Sequence, residues 1–168
     1  MTVQEGEISV ILMDKEHTYK TTIEWTGNRG QGTLNYSGYD RDHTISVDRK
    51  AVISGSSDSS FKGDKTKYNP EELLVSSLSS CHMLWYLHLC AEAGVVVTAY
   101  IDKATGIMTE TKTGGGKFKE VTFNPTVTVE DQMMVAKAKE LHQKANELCF
   151  IANSVNFPVY HNPIVRTE

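Results

Sequence analysis

The chain of 168 residues reads as an α+β domain in which antiparallel sheets pack around one long buried helix. Three observations carry that expectation. The first third is a series of short β-rich runs separated by Gly, Asn and Asp; a single capped apolar helix fills the middle; strands, a second helix and a closing strand follow. No internal repeat and no linker divides the chain, so one domain over residues 1–168 is expected.

Strands are expected at 7–10, 19–25, 33–36 and 43–47, joined by the Gly-rich turns at 27–32 and 38–42. Residues 54–68, almost all Ser, Gly, Asp, Lys and Thr, read as a long loop, and long loops inside compact domains are usually functional. At Asn69 the signals turn helical. Asn69 suits the N-cap, Pro70 the first helical position, and Glu72 completes a capping box. The helix then runs to residue 93 and stops at Gly94, spanning roughly 36 Å. Its middle is apolar or small nearly all round, as in a helix buried on more than one side.

Beyond it, 95–105 and 107–111 read as a hairpin, and Gly114, Gly115 and Gly116 as a flexible link. Strands follow at 118–123 and 126–129, around the Asn124-Pro125 turn. A helix over 131–148 carries Met133, Met134, Ala138, Leu141, Ala145 and Leu148 on its apolar side. Residues 149–156 suit a further short turn of helix, and 159–166 an edge strand containing Pro163.

Composition excludes several classes. Apolar residues at 39% and charged residues at 23% are globular values, not those of a disordered or collagen-like chain. A net charge of -4 gives no general attraction to nucleic acid or to an anionic membrane. No uninterrupted apolar run reaches a membrane span, and the start MTVQEGEISV lacks the pattern of a secretion signal. A soluble cytoplasmic protein is therefore expected.

Chemistry centres on three cysteines. Cys81 and Cys90 lie half a turn apart around one helix, about 13.5 Å along its axis, and cannot pair there. Cys90, among Leu89, Ala91 and Ala93, reads as core. Cys81 follows two serines, and Cys149 ends the second helix. Spacing alone leaves two readings of this pair open: attacking and resolving thiols, or two packing residues. A metal site joining Cys81 and His88 with His142 and Cys149 is disfavoured, because seven residues of helix separate ligands by about 10 Å. His82 and His88 read as hydrogen-bonded histidines, and residues 83–87 as core or as the wall of an apolar pocket.

The segment NPEELLVSSLSSC resembles the signature of the osmotically inducible protein C and organic hydroperoxide resistance (OsmC/Ohr) family, with Cys81 ten positions after Glu71. Element order agrees along most of the chain. Cys149 stands at the family's second cysteine, with Phe150 where proline is usual. The resemblance implies an intertwined homodimer with no bound cofactor, acting as a thiol-dependent peroxidase on organic hydroperoxides in oxidative-stress defence. Cys81 would be the nucleophile and Cys149 the resolving thiol, with an external dithiol as reductant.

A carboxylate-held arginine would support the thiolate. Arg29, in a Gly-Asn-Arg-Gly turn, resembles the arginine of the hydroperoxide-resistance branch; Arg41 is second, and Lys62 a poorer substitute without bidentate geometry. In the other branch the arginine would stand at Ser60. Glu71 lies about 15 Å from Cys81 along one helix, so it either serves a partner subunit's cysteine or only caps its own helix. The rival expectation is a non-catalytic dimeric binder of an apolar or electrophilic small molecule, its cysteine pair idle.

Overall fold

A computed structural model describes residues 15–168, so the strand expected at 7–10 lies outside the described residues. In chain order the strands are β1 (Thr22–Trp25), β2 (His43–Ser46) and β3 (Ile53–Gly55). Helix α1 (Pro70–Glu92) is followed by β4 (Val97–Asp102), β5 (Thr105–Glu110), β6 (Gly116–Phe123) and β7 (Pro125–Val129). Helix α2 (Val135–Leu148), β8 (Val159–His161) and β9 (Ile164–Arg166) complete the fold. Helix α1 begins as its sequence dictates: the Asn69 side chain accepts from the Glu72 amide, Glu72 accepts from the Asn69 amide, and Pro70 opens the first turn.

The strands after α1 pair differently from expectation. Strands β4 and β5 do not form a hairpin with each other; β4 pairs antiparallel with β7, and β5 antiparallel with β6. Asp102 faces Pro125 and Thr105 faces Thr122, so the register runs on from one pair to the next. The four strands are thus one long hairpin, turning at residues 111–115 and interrupted in its middle. Strands β8 and β9 lie along its β6–β7 arm as parallel edge strands. Prolines explain the interruption. Pro125 and Pro163 fall at the same level of the ladder, and neither has an amide hydrogen to donate. The Asp102 carboxylate bridges the gap, accepting from the Asn124 amide at 2.7 Å and the Ser79 hydroxyl of α1 at 2.5 Å.

Helix α1 crosses both halves of this ribbon. Tyr86 and Cys90 pack with Val127, Val129, Ala138, Leu141 and Ala145, between α1, α2 and the β4-β7-β9 half. Leu78 packs with Val121 and Phe123 of the other half. The fully buried stripe of α1 is Leu78, His82, Tyr86 and Cys90. The expectation of burial on several sides is corrected here: within one chain the opposite face is open, with Leu84 62% exposed. By length and composition α1 would also pass for a membrane span, contrary to the sequence reading, yet its buried stripe carries a histidine and a tyrosine packed on a sheet. On α2 the apolar side is Ala138, Leu141, His142 and Ala145, whereas Met133 is outside.

Strands β1, β2 and β3 form a separate antiparallel sheet. Residues 33–36, expected as a strand, are turns instead. The Asn28 side chain accepts from Gly30 and Gly32 amides, and both arginines of the region draw carbonyls of residues 36–39 into a knot. The loop at 54–68 is more structured than expected. Its first residues belong to β3, Ser56 is fully buried, and Asp58 caps a single 3-10 turn at Ser59–Phe61.

Candidate active site

Cys81 is half-buried on α1 and Cys149 wholly buried at the C-cap of α2. Packing of the two helices brings the thiols close enough to influence each other, although 68 positions separate them. Cys149 is firmly positioned. Its Sγ accepts from the Ala152 amide at 3.4 Å, in the turn of 3-10 helix that follows, and its S–H points to the Leu78 carbonyl at 4.0 Å. Burial pushes the Cys149 thiol up to about 11, and contact with Cys81 pushes in the same direction. Cys149 therefore keeps its proton at neutral pH. Cys90 is a buried thiol held up by desolvation, and it stays in the core as the sequence suggested.

Cys81 opens into a cleft of about 450 Å³. Ser77 and Ser80 lie beside the thiol, Leu84 and Trp85 one turn further along α1, and Phe150 and Ile151 come from the chain after α2. Trp85 and Phe150 meet edge to face, their centroids 5.6 Å apart at 89°. His88 closes the far end and is bridged at 3.7 Å to Glu92. The pocket wall foreseen in residues 83–87 is present in Leu84 and Trp85. The share taken by Phe150 has no local signal in the sequence.

Glu71 lines a different cavity, of about 530 Å³, at the other end of α1. Its Oε2 is buried and has no hydrogen-bond partner among the described residues. Nor are the arginines at the thiol. Arg29 bonds to the Ser37 carbonyl and faces Asp40 at 3.7 Å. The Arg41 guanidinium lies between the rings of Tyr36 and Tyr39, 4.3 and 4.1 Å from their centroids. Lys62 reaches the Ser37 hydroxyl at 2.7 Å. No arginine or lysine of the described residues lines the Cys81 cleft. Within one chain the structure joins Cys81 to Cys149 and leaves Glu71, Arg29 and Arg41 apart from them.

Behind Cys81 the buried His82 Nε2 and His142 Nδ1 share a hydrogen bond of 3.0 Å, and the His142 ring stacks on Tyr86 at 3.8 Å. Burial lowers His82 to about 4, and burial with the neighbouring histidines lowers His142 to about 3. Both rings are neutral at pH 7. Among the described residues no three His, Cys, Asp or Glu side chains are arranged to hold a metal ion.

Comparison with known proteins gives a consistent picture. Residues 63–162 match the family model described as OsmC-like protein. An OsmC-like protein of unknown function from Vibrio cholerae is 28% identical, with a TM-score of 0.80 over 89% of this chain and 100% of that one. An organic hydroperoxide resistance protein from Elizabethkingia anophelis shares the fold at 16% identity, with a TM-score of 0.66 over 93% of this chain and 100% of that one. The organic hydroperoxide resistance protein OhrB of Bacillus subtilis does so at 18% identity and 0.60, over 89% and 98%. No curated protein matches the chain.

Proposed function

The chain belongs to the OsmC-like protein family, and we propose that it is a thiol-dependent peroxidase that reduces organic hydroperoxides. The contact between a half-exposed Cys81 and a buried, protonated Cys149 carries this reading. The Cys81 thiolate attacks the distal oxygen of ROOH. The O–O bond breaks, Cys81 becomes a sulfenic acid, and the alkoxide leaves as ROH after taking a proton. The Cys149 thiol then condenses with the sulfenic acid, forming a disulfide and releasing water. An external dithiol returns both cysteines to thiols and is itself oxidised to a disulfide. No bound cofactor takes part.

The second half of the site comes from a second copy of the chain. The buried Oε2 of Glu71, which has no hydrogen-bond partner among the described residues, suits a cation brought by the second chain. The β1-β2-β3 sheet, which carries Arg29 and Arg41 on its connecting loop, leaves Ile23 and Trp25 exposed. Leu84 on α1 and Ile101 on β4 are similarly open. An intertwined homodimer covers these surfaces and sets Glu71, with Arg29 or Arg41, against the partner's thiol. Sedimentation of the purified protein as a monomer at micromolar concentration would remove this half of the reading.

The deciding experiment adds one equivalent of cumene hydroperoxide to reduced protein and measures intact mass and free thiols. Loss of two thiols with a Cys81–Cys149 disulfide supports the peroxidase. Three unreacted thiols favour the rival, a small-molecule binder with an idle pair.

A further inference from the structure

The aromatic pair beside Cys81 bears on which hydroperoxide the site takes. Trp85 lies four residues after Cys81, and helical side chains lean toward the N-terminus, so its indole covers the turn that carries the thiol. Phe150 directly follows Cys149, which contacts Cys81. One ring therefore enters from each strand of chain holding the cysteines. The indole makes a T-shaped contact both with Phe150, at 89°, and with His88, 5.8 Å away at 74°. With two rings each standing roughly perpendicular to the indole, the cleft offers a further ring both faces and edges to pack on. The Phe150 side chain does little for the core, being 66% exposed. Its place in the cleft is what it contributes.

From this geometry we infer that Trp85 and Phe150 form an aryl subsite, so that hydroperoxides bearing an aromatic ring next to the peroxide carbon are preferred over alkyl ones of equal size. The inference deepens the peroxidase reading and rests on it for the word substrate. Aromatic contacts are worth roughly two- to tenfold in binding beyond the area they bury, and a saturated chain of the same carbon count gains only the area. The cleft of about 450 Å³ is roomy enough for a phenyl group beside the thiol.

The test separates the subsite from the chemistry. Reduced protein is titrated with 2-phenylpropan-2-ol, the alcohol released from cumene hydroperoxide, and with 2-methyloctan-2-ol, a saturated tertiary alcohol of nine carbons. The tryptophan indole N–H signals are followed by NMR. We expect the aryl alcohol to move the Trp85 signal and to bind at least threefold more tightly. In Phe150→Leu, a change at an exposed position that keeps apolar bulk, the preference falls toward unity. Equal or tighter binding of the alkyl alcohol, or a preference unmoved by Phe150→Leu, overturns the inference. Turnover reads out the other question: if neither cumene nor tert-butyl hydroperoxide consumes thiols, the peroxidase reading fails while the alcohol ranking still decides the subsite. Where both turn over, Phe150→Leu raises the KM for cumene hydroperoxide more than that for tert-butyl hydroperoxide.

Discussion

Acidification from pH 7 to pH 5 should destabilise the protein through the His82–His142 pair. Both rings are fully buried and share one hydrogen bond, so one nitrogen donates, the other accepts, and neither ring carries a charge. The unfolded chain takes up protons near pH 6.5, whereas the folded rings resist until about 4 and about 3. Between those limits the unfolded state binds more protons, so stability rises with pH and is lost as pH falls. At about 1.4 kcal/mol per pH unit, each ring costs about 2 kcal/mol by pH 5, or about 4 kcal/mol for the pair. That is a large part of the stability of an ordinary domain. The partly buried His161, also lowered by desolvation, acts in the same direction. Asp58, Asp64 and Glu147 do not account for a loss in this window, since all three are held below their ordinary range by hydrogen bonds, Glu147 chiefly by Lys144. Urea midpoints at pH 7 and pH 5, at one protein concentration, measure the loss, and ¹⁵N signals of the imidazoles locate it. A midpoint unchanged over this range, or either buried ring titrating near 6.5, would refute the reasoning.

Alkylation should discriminate among the thiols. With Cys149 pushed up to about 11, only about one molecule in a thousand is a thiolate there at pH 8. Iodoacetamide is thus expected to label Cys81 first, with Cys90 and Cys149 protected, and peptide mapping that found Cys149 labelled first would contradict the site. Leu78→Ala empties a fully buried position against Val121 and Phe123 and should cost about 3 kcal/mol in urea denaturation. Asn69→Ala removes the side-chain cap of α1 and should cost about 1 kcal/mol, whereas Asn69→Ser should recover most of it.

What was legible in the sequence was local. The start of α1 is written within four residues, Asn69 to Glu72, and the structure forms each of those bonds. Pairing was not legible, because a strand does not name its partner. The two arms of the β4-to-β7 hairpin, β4–β5 and β6–β7, read from sequence as separate hairpins, since the prolines that interrupt it, Pro125 and Pro163, are 38 positions apart yet lie at one level. Residues 33–36 have strand-like composition, but the hydrogen bonds of Arg29 and Arg41 close the region into turns. Met133 matched the helical period, yet α2 begins only at Val135. The same limit applies to the site. A family motif located Cys81 and Cys149, but His82 meets His142 across 60 positions and Trp85 meets Phe150 across 65, distances no local pattern spans.

Cys81 occupies the stretch of α1 where the core changes hands. Leu78 belongs to the packing of one half of the ribbon and Tyr86 to that of the other, with Cys81 and His82 between them. Ser79 is tied at the same level to Asp102, the residue that spans the break between the prolines. A helix anchored from the sheet side at this point must turn another face away from the sheet, and Cys81, two residues after Ser79, lies on it. The neutral histidine pair fills the interior beside it, where protonation would be costly, while Cys149 arrives from α2 already protonated. The interrupted ladder, the Ser79 tie and the end of α2 thus converge on a thiol open on one side to the apolar cleft and set on the other against Cys149.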